Sequence, residues 1–308
     1  MKTNRIAVIG VPSSAGARQT GQERAPFAFR EAGIIDALRS TGFEVLDFGN
    51  LSPVAYRPDP DHPHAQNVEL VRNVVSEVSE AFYRAASEDA VPFILGGDCT
   101  ITLGAVSGLL RCDGNAGLIY FDGDVDFNDP STTTSGIFDG MVMAHLMGRG
   151  APELTRLGPT FPLLREDQIC LFGYNNTAGW IDAPEMQLLQ NSKLRKYPLE
   201  EIRNDVHFFA REATAMIEKR AERILVHFDV DVIEANDFPV ADVLHSGGLP
   251  YRDAMDALRI FLSSQKVGGL VVTEFNANRD PNGQYARKLV HDLSACLPLE
   301  KLKSKIQT

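Results

Sequence analysis

Short apolar runs, each closed by glycine, aspartate or another polar residue, recur along this chain. The clearest are Ile6–Gly10, Phe43–Phe48, Pro92–Gly97, Gly117–Asp122, Gln168–Tyr174, Arg223–Val230 and Gly268–Phe275. Several are apolar on consecutive positions, the pattern of strands buried on both faces of a parallel sheet. Between them the spacing changes to that of a helix. Val68, Val71, Val75, Val78 and Phe82 fall on one helical face, and so do Met255, Leu258, Phe261 and Leu262. Strand alternating with helix predicts an α/β fold with a mostly parallel sheet and helices on both faces. The proline-rich stretch Ser52–His64 and the polar stretch Asn128–Gly140 read as loops rather than linkers, so one domain is expected over residues 1–308.

Composition narrows this picture. The chain has 308 residues, 44% of them hydrophobic, which suits a large core, and its 23% charged residues form no low-complexity tract. Its 30 basic and 41 acidic residues give a net charge of −11, which leaves no cation excess for a nucleic acid. Part of the surplus acid is a candidate for the interior, around metal ions. The four cysteines, Cys99, Cys112, Cys170 and Cys296, form no CxxC pair, which argues against a disulfide framework or a zinc knuckle. The first apolar run is too short for a signal-peptide core, and no segment approaches membrane-spanning length. A cytoplasmic protein without a membrane partner is the expectation.

The informative polar residues sit where the strand-like runs end, which is where open parallel sheets bind ligands. One run ends in Gly96-Gly97-Asp98-Cys99, a second in Asp122-Gly123-Asp124-Val125-Asp126, a third in Asp229-Val230-Asp231 and a fourth in Glu274-Phe275-Asn276. On an extended backbone the two-residue spacing of Asp122, Asp124 and Asp126 sends all three carboxylates to one side, and that of Asp229 and Asp231 does the same. Carboxylates brought together in this way repel one another, and a divalent cation such as Mn²⁺ or Mg²⁺ relieves the repulsion. Any one of these aspartates alone is better explained as a turn former or helix cap; it is their combination in one chain that points to a metal site.

In order and spacing these motifs resemble those of the ureohydrolase superfamily of arginases and agmatinases. Its members carry Gly-Gly-Asp-His, Asp-Ala-His-x-Asp and Ser-Phe-Asp-x-Asp, where this chain has Gly96–Cys99, Asp122–Asp126 and His227–Asp231. The opening Ile9-Gly10-Val11-Pro12-Ser13-Ser14, the segment Gly247-Gly248-Leu249-x-Tyr251-Arg252 and the pair Glu274 and Asn276 are also similar to arginase, so the likeness runs from Arg5 to Asn276. The resemblance implies a three-layer α/β/α sandwich with a binuclear manganese site, about two ions per chain, that activates a water to attack a guanidinium carbon. Carried over by motif, Asp122 and Asp229 bridge the metals, Cys99 and Asp126 complete one site, and Asp124 and Asp231 complete the other. Asp126 also hydrogen-bonds the nucleophile, and Glu274 holds the guanidinium. The loop from Asn128 is closer to arginase, which places Asn128, Thr133 and Ser135 on the carboxylate of an amino-acid substrate. A homo-oligomer, trimer or hexamer, is implied by the same analogy.

The departures concern the same site. Cys99 and Asp124 stand where the family has its histidine ligands, and Asp139 stands in place of a proton-shuttling histidine, where it can still serve as an acid or base. Cysteine shifts metal preference toward zinc or iron. His145 reads as a packed helical residue, and His245 as a residue lining the pocket. Ile137 replaces an asparagine, and Asn175-Asn176-Thr177-Ala178 lacks the acidic residues that meet an α-amino group in arginase. The main expectation is a metal-dependent amidinohydrolase of an arginine-like or N-hydroxyarginine-like guanidino compound. The rival is a non-catalytic relative with a weak metal site. A covalent role for Cys99 needs a nearby base, and the sequence shows no histidine placed for one.

Overall fold

The computed structural model describes residues 3–177 and 181–297. Ala178, one residue of the segment just named, lies outside them. The predicted strands form as β1 (Arg5–Gly10), β2 (Glu44–Asn50), β3 (Val91–Leu95), β4 (Ala116–Phe121), β5 (Ile169–Phe172), β7 (Arg223–Asp229) and β8 (Val267–Thr273). A further short strand, β6 (Arg195–Tyr197), pairs with β5 at the sheet edge. Its three residues are too few and too polar to show in the hydrophobic pattern.

All eight strands are parallel, in the order β2-β1-β3-β8-β7-β4-β5-β6. Alternate strand residues feed two cores. Val8, Phe93, Phe121, Val226 and Val272 pack against helices Ala25–Glu31, Ile34–Ser40, Val206–Glu218, Tyr251–Leu262 and Gln284–Cys296. Ile9, Ile94, Tyr120, Leu225 and Val271 pack against helices Val68–Ser87 and Ile101–Asp113 on the other face. The result is the expected three-layer sandwich, and both helices read from periodicity are present. Among the described residues no helix is long and apolar enough to cross a membrane.

The chain runs outward from β1 to β2 on one side of the sheet, and from β4 through β5 to β6 on the other. Between these two directions the carboxyl ends of β3, β8, β7 and β4 lie side by side. A crevice opens where strand order reverses in this way. Those are the four ends that carry Cys99, Glu274, Asp229 and Asp122.

Candidate active site

Asp122 and Asp229 sit one residue beyond β4 and at the end of β7, both 1% exposed. Each divides its two oxygens between two tasks. Oδ1 of Asp122 accepts from the backbone N–H of Asp124 at 2.7 Å, and Oδ1 of Asp229 accepts from that of Asp231 at 2.8 Å. These bonds turn the chain at the strand ends. The Oδ2 atoms face inward, toward Cys99 and His227. The same two aspartates thus form the turns and direct a second oxygen toward Cys99 and His227.

The extended backbone predicted for Asp122-x-Asp124-x-Asp126 is not what forms. The strand stops at Phe121, and Asp126 has φ +48°. The three carboxylates are distributed instead of aligned. Asp122 joins Asp229, Cys99 and His227 in an inner cluster, and Asp124 joins Asp231 and His245 in an outer one, the ligand atoms of each cluster lying within 4.8 Å of one another. Asp126 joins neither cluster by that measure, and the Tyr120 hydroxyl donates to its Oδ2.

In the inner cluster the Cys99 Sγ lies 2.7 Å from Asp229 Oδ2 and 3.7 Å from His227 Nε2. The absence of a histidine beside Cys99 read from the sequence is therefore corrected. His227 is an interior residue of β7, and parallel pairing of β7 with β4 and β8 carries it to Cys99. The signal was present, since His227 occupies the serine position of its motif in the middle of a buried strand. Electrostatics disfavour a free thiolate here. Burial, then Asp229, Asp139 and Asp122, push the Cys99 thiol well up. Burial alone pulls His227 down to about 3, so its ring is neutral at ordinary pH.

Asp122 and Asp229 are pushed well above the usual carboxylate range by burial first and then by neighbouring aspartates, Asp231 among them in both cases. Among the described residues no Lys or Arg reaches ion-pair distance of Asp122, Asp229 or Asp231, and histidines stand at that distance from Asp122 and Asp231. Buried carboxylates without a Lys or Arg counterion, alongside imidazole and thiol donors, fit a divalent cation. In the outer cluster burial opposes protonation of His245, but Asp231 and Asp124 outweigh it and hold the ring up to about 10.

Asp139 and Glu274 flank the inner cluster. Asp139 Oδ1 accepts from the Cys99 N–H at 2.7 Å, and Asp139, Cys99 and Glu274 have ligand atoms within 4.8 Å of one another. Burial pushes both carboxyls well up, with Asp98 the next cause for Asp139 and Asp139 the next for Glu274. Glu274 is 2% exposed, takes φ +63°, and accepts from Gln22 Nε2 at 3.2 Å with one oxygen only. Its Oε1 is buried with no hydrogen-bond partner among the described residues. A left-handed backbone at a non-glycine residue is costly, and such sites cluster where function fixes geometry.

A cavity of about 190 Å³ opens beside the outer cluster, lined by Arg18, Asp124, Asp126, Asn128, Thr133, Ser135, Ile137, Asp182 and Glu185. Asn128, Thr133 and Ser135 are thus brought together as read from the sequence. The segment Asn175–Ala178 carries no acidic residues, as read, but the cavity does not lack them. Asp182 and Glu185 supply them from the start of helix Ala183–Asn191, where Asp182 caps the helix by accepting from the Glu185 N–H. The cap pattern Asp-x-Pro-Glu was the available signal. Burial, and then Asp124 and Asp182, raise Glu185 to about 7 against a hydrogen bond from the Phe127 N–H. His145 is the packed histidine expected, its ring held between the Met141 carbonyl and the Ala151 N–H.

A model of the arginase family matches residues 4–297 of this chain. The arginase of Bacillus caldovelox is 27% identical over 290 residues, covering 91% of this chain and 94% of that protein. The arginase of Brucella melitensis biotype 1 is 30% identical over 303 residues, 94% of each. Among solved structures, the native B. caldovelox arginase at pH 5.6 superposes with a TM-score of 0.88 at 24% identity, covering 97% of this chain and 99% of that one.

Proposed function

The chain belongs to the arginase family, an amidinohydrolase family acting on linear amidine C–N bonds, and on that premise we propose that it hydrolyses the guanidino group of an arginine-like α-amino acid with divalent cations, manganese first, as cofactor. The observation that carries this reading is the cavity. It is lined by Asp124 and Asp126, by Asn128, Thr133 and Ser135, and by the two acids Asp182 and Glu185, with Asn128 Nδ2 3.4 Å from Asp182 Oδ2. The hydroxyl and amide groups suit an α-carboxylate, and the two acids suit an α-ammonium.

Cys99, Asp122, Asp124, Asp229 and Asp231 are the residues that would hold the cations, while Asp126, expected among them, stands outside both clusters. When bound, such ions supply a water acidic enough to be a nucleophile near neutral pH. The remaining work falls to side chains. Glu274 accepts guanidinium N–H bonds at its unpartnered Oε1. Asp126, fixed by the Tyr120 hydroxyl, accepts a hydrogen bond from the attacking water. Asp139, whose raised carboxyl holds a proton readily, gives it to the departing amine nitrogen as the amidine C–N bond breaks. The products are urea, or a urea derivative, and the amine.

The test is elemental analysis of manganese-loaded protein followed by a screen of guanidino amino acids, including arginine and N-hydroxyarginine, for urea release. About two ions per chain and turnover of one such compound are expected, with Glu274→Gln lowering kcat/KM by about 10–150-fold, the worth of a charged hydrogen bond. Metal-loaded protein that hydrolyses none of them would refute the substrate class.

A further inference from the structure

The clusters contain two imidazoles that the strand-end motifs do not count among the ligands. We infer that His227 and His245 are the nitrogen ligands of the two cation sites, supplied from the interior of β7 and from the loop ahead of helix Tyr251–Leu262. This rests on the reading of the acidic centre as a divalent-cation site.

In the inner cluster His227 Nε2 lies 3.2 Å from Asp122 Oδ2 and 3.7 Å from Cys99 Sγ, and Cys99 Sγ lies 3.9 Å from Asp122 Oδ2. Donors bound about 2.0–2.3 Å from one ion stand roughly 3–4 Å apart, so these separations are the edges of a coordination polyhedron. The ring is braced for that task. Its Nδ1 is 2.7 Å from Thr102 Oγ1, and its plane stacks on Tyr120 at 4.1 Å and 5°. A ligating histidine characteristically engages its second ring nitrogen with a fixed partner, which orients the first. Thr102 is that partner here, from the first turn of helix Ile101–Asp113.

In the outer cluster His245 Nε2 lies 3.5 Å from Asp124 Oδ2 and 3.5 Å from Asp231 Oδ2. Gly123 makes room for it. A Cβ at that position would stand 3.0 Å from His245 Nε2 and Cδ2 and 2.9 Å from Asp231 Oδ1. The motif this segment resembles has alanine there. Two exchanges then account for the centre. Compared with the motifs this chain resembles, a smaller residue stands at Cys99 and a larger one at His227, and a carboxylate stands at Asp124 where Gly123 leaves space for His245. Each cluster keeps one nitrogen donor, delivered from a new direction.

Two measurements test this. Titration with Mn²⁺, followed by the electron paramagnetic resonance signal of the free ion, counts bound ions in the wild type, His227→Gln and His245→Gln. Proton NMR of the Co²⁺-loaded wild type looks for exchangeable, hyperfine-shifted imidazole N–H resonances, and needs no variant to fold. The wild type is expected to bind about two ions and to show shifted N–H resonances from both rings. Each variant is expected to lose one resonance and to bind one ion on the order of 100-fold more weakly. A wild type that binds both ions without shifted imidazole resonances, with both variants unchanged in affinity, overturns the inference and leaves the cation site standing. A wild type that binds neither Mn²⁺ nor Co²⁺ overturns the cation-site reading and this inference with it.

Discussion

Cys99, Asp122, His227 and Asp229 come from the interior or the ends of β3, β4 and β7 and are at most 2% exposed. Asp124, Asp231 and His245 come from turns and a loop beyond the same strands, and the Asp124 side chain is 32% exposed where it lines the cavity. The two clusters have similar chemistry and different solvation. In the inner one burial leaves the carboxylates no balance except protons or an ion, because the neighbouring imidazole is held neutral. In the outer one His245, held up to about 10, is a counter-ion in its own right. The inner cluster also has the thiol, so it suits the softer ion of a pair. The inner cluster is dry and holds the thiol, whereas the outer one reaches solvent through Asp124 alone, with Asp231 and His245 buried.

Removing a donor should expose this difference most strongly. Asp229→Asn is expected to lower metal content and kcat by more than the roughly 10–100-fold that loss of an outer-shell partner costs, and by more than Asp124→Asn does. Equal losses in steady-state turnover and elemental analysis would dissolve the distinction. The next effect separates the braces. Thr102→Val leaves every donor in place but frees the His227 ring, so metal affinity is expected to fall by about 10–100-fold at one site only. A biphasic Mn²⁺ titration with one unchanged phase is the sign to look for, and a loss at both sites would mean that Thr102 supports the centre as a whole.

The smallest effect lies in the metal-free protein. Asp122 and Asp229 have folded-state pKa values above their unfolded ones, so the native state holds protons that the unfolded chain has released. Stability therefore falls as pH rises above the ordinary carboxylate range of about 4. The raised pKa of His245 acts in a later window. Its contribution is complete below about pH 6.5, and it is lost as pH climbs through about 10. At pH 7 in chelator, Asp229→Asn is expected to raise Tm and His245→Gln to lower it, each on the order of a few degrees. Thermal scans showing the same sign for both would break the comparison.

Much of this arrangement was legible in the chain. Consecutive apolar residues in Pro92–Gly97 and Arg223–Val230 marked doubly buried strands, and polar residues at their ends marked the crevice. The carboxylates Asp122 and Asp229 followed from their position at those ends. What sequence reasoning missed depends on contacts between distant segments. His227 reads as one polar residue in an apolar run until β7 is set between β4 and β8. Asp182 and Glu185 read as a helix start until the cavity gathers them with Thr133 and Ser135. β6 is too short to announce itself at all.

The alternating pattern by itself determined the layers, because a run apolar on both faces can be satisfied only inside a covered parallel sheet. It also determined that acids would collect at one edge, since parallel strands all end on the same side. Only the tertiary structure decided how those acids divide into two clusters and which histidine serves each. Strand order and the turns after Phe121 and Asp229 set the distances within each cluster.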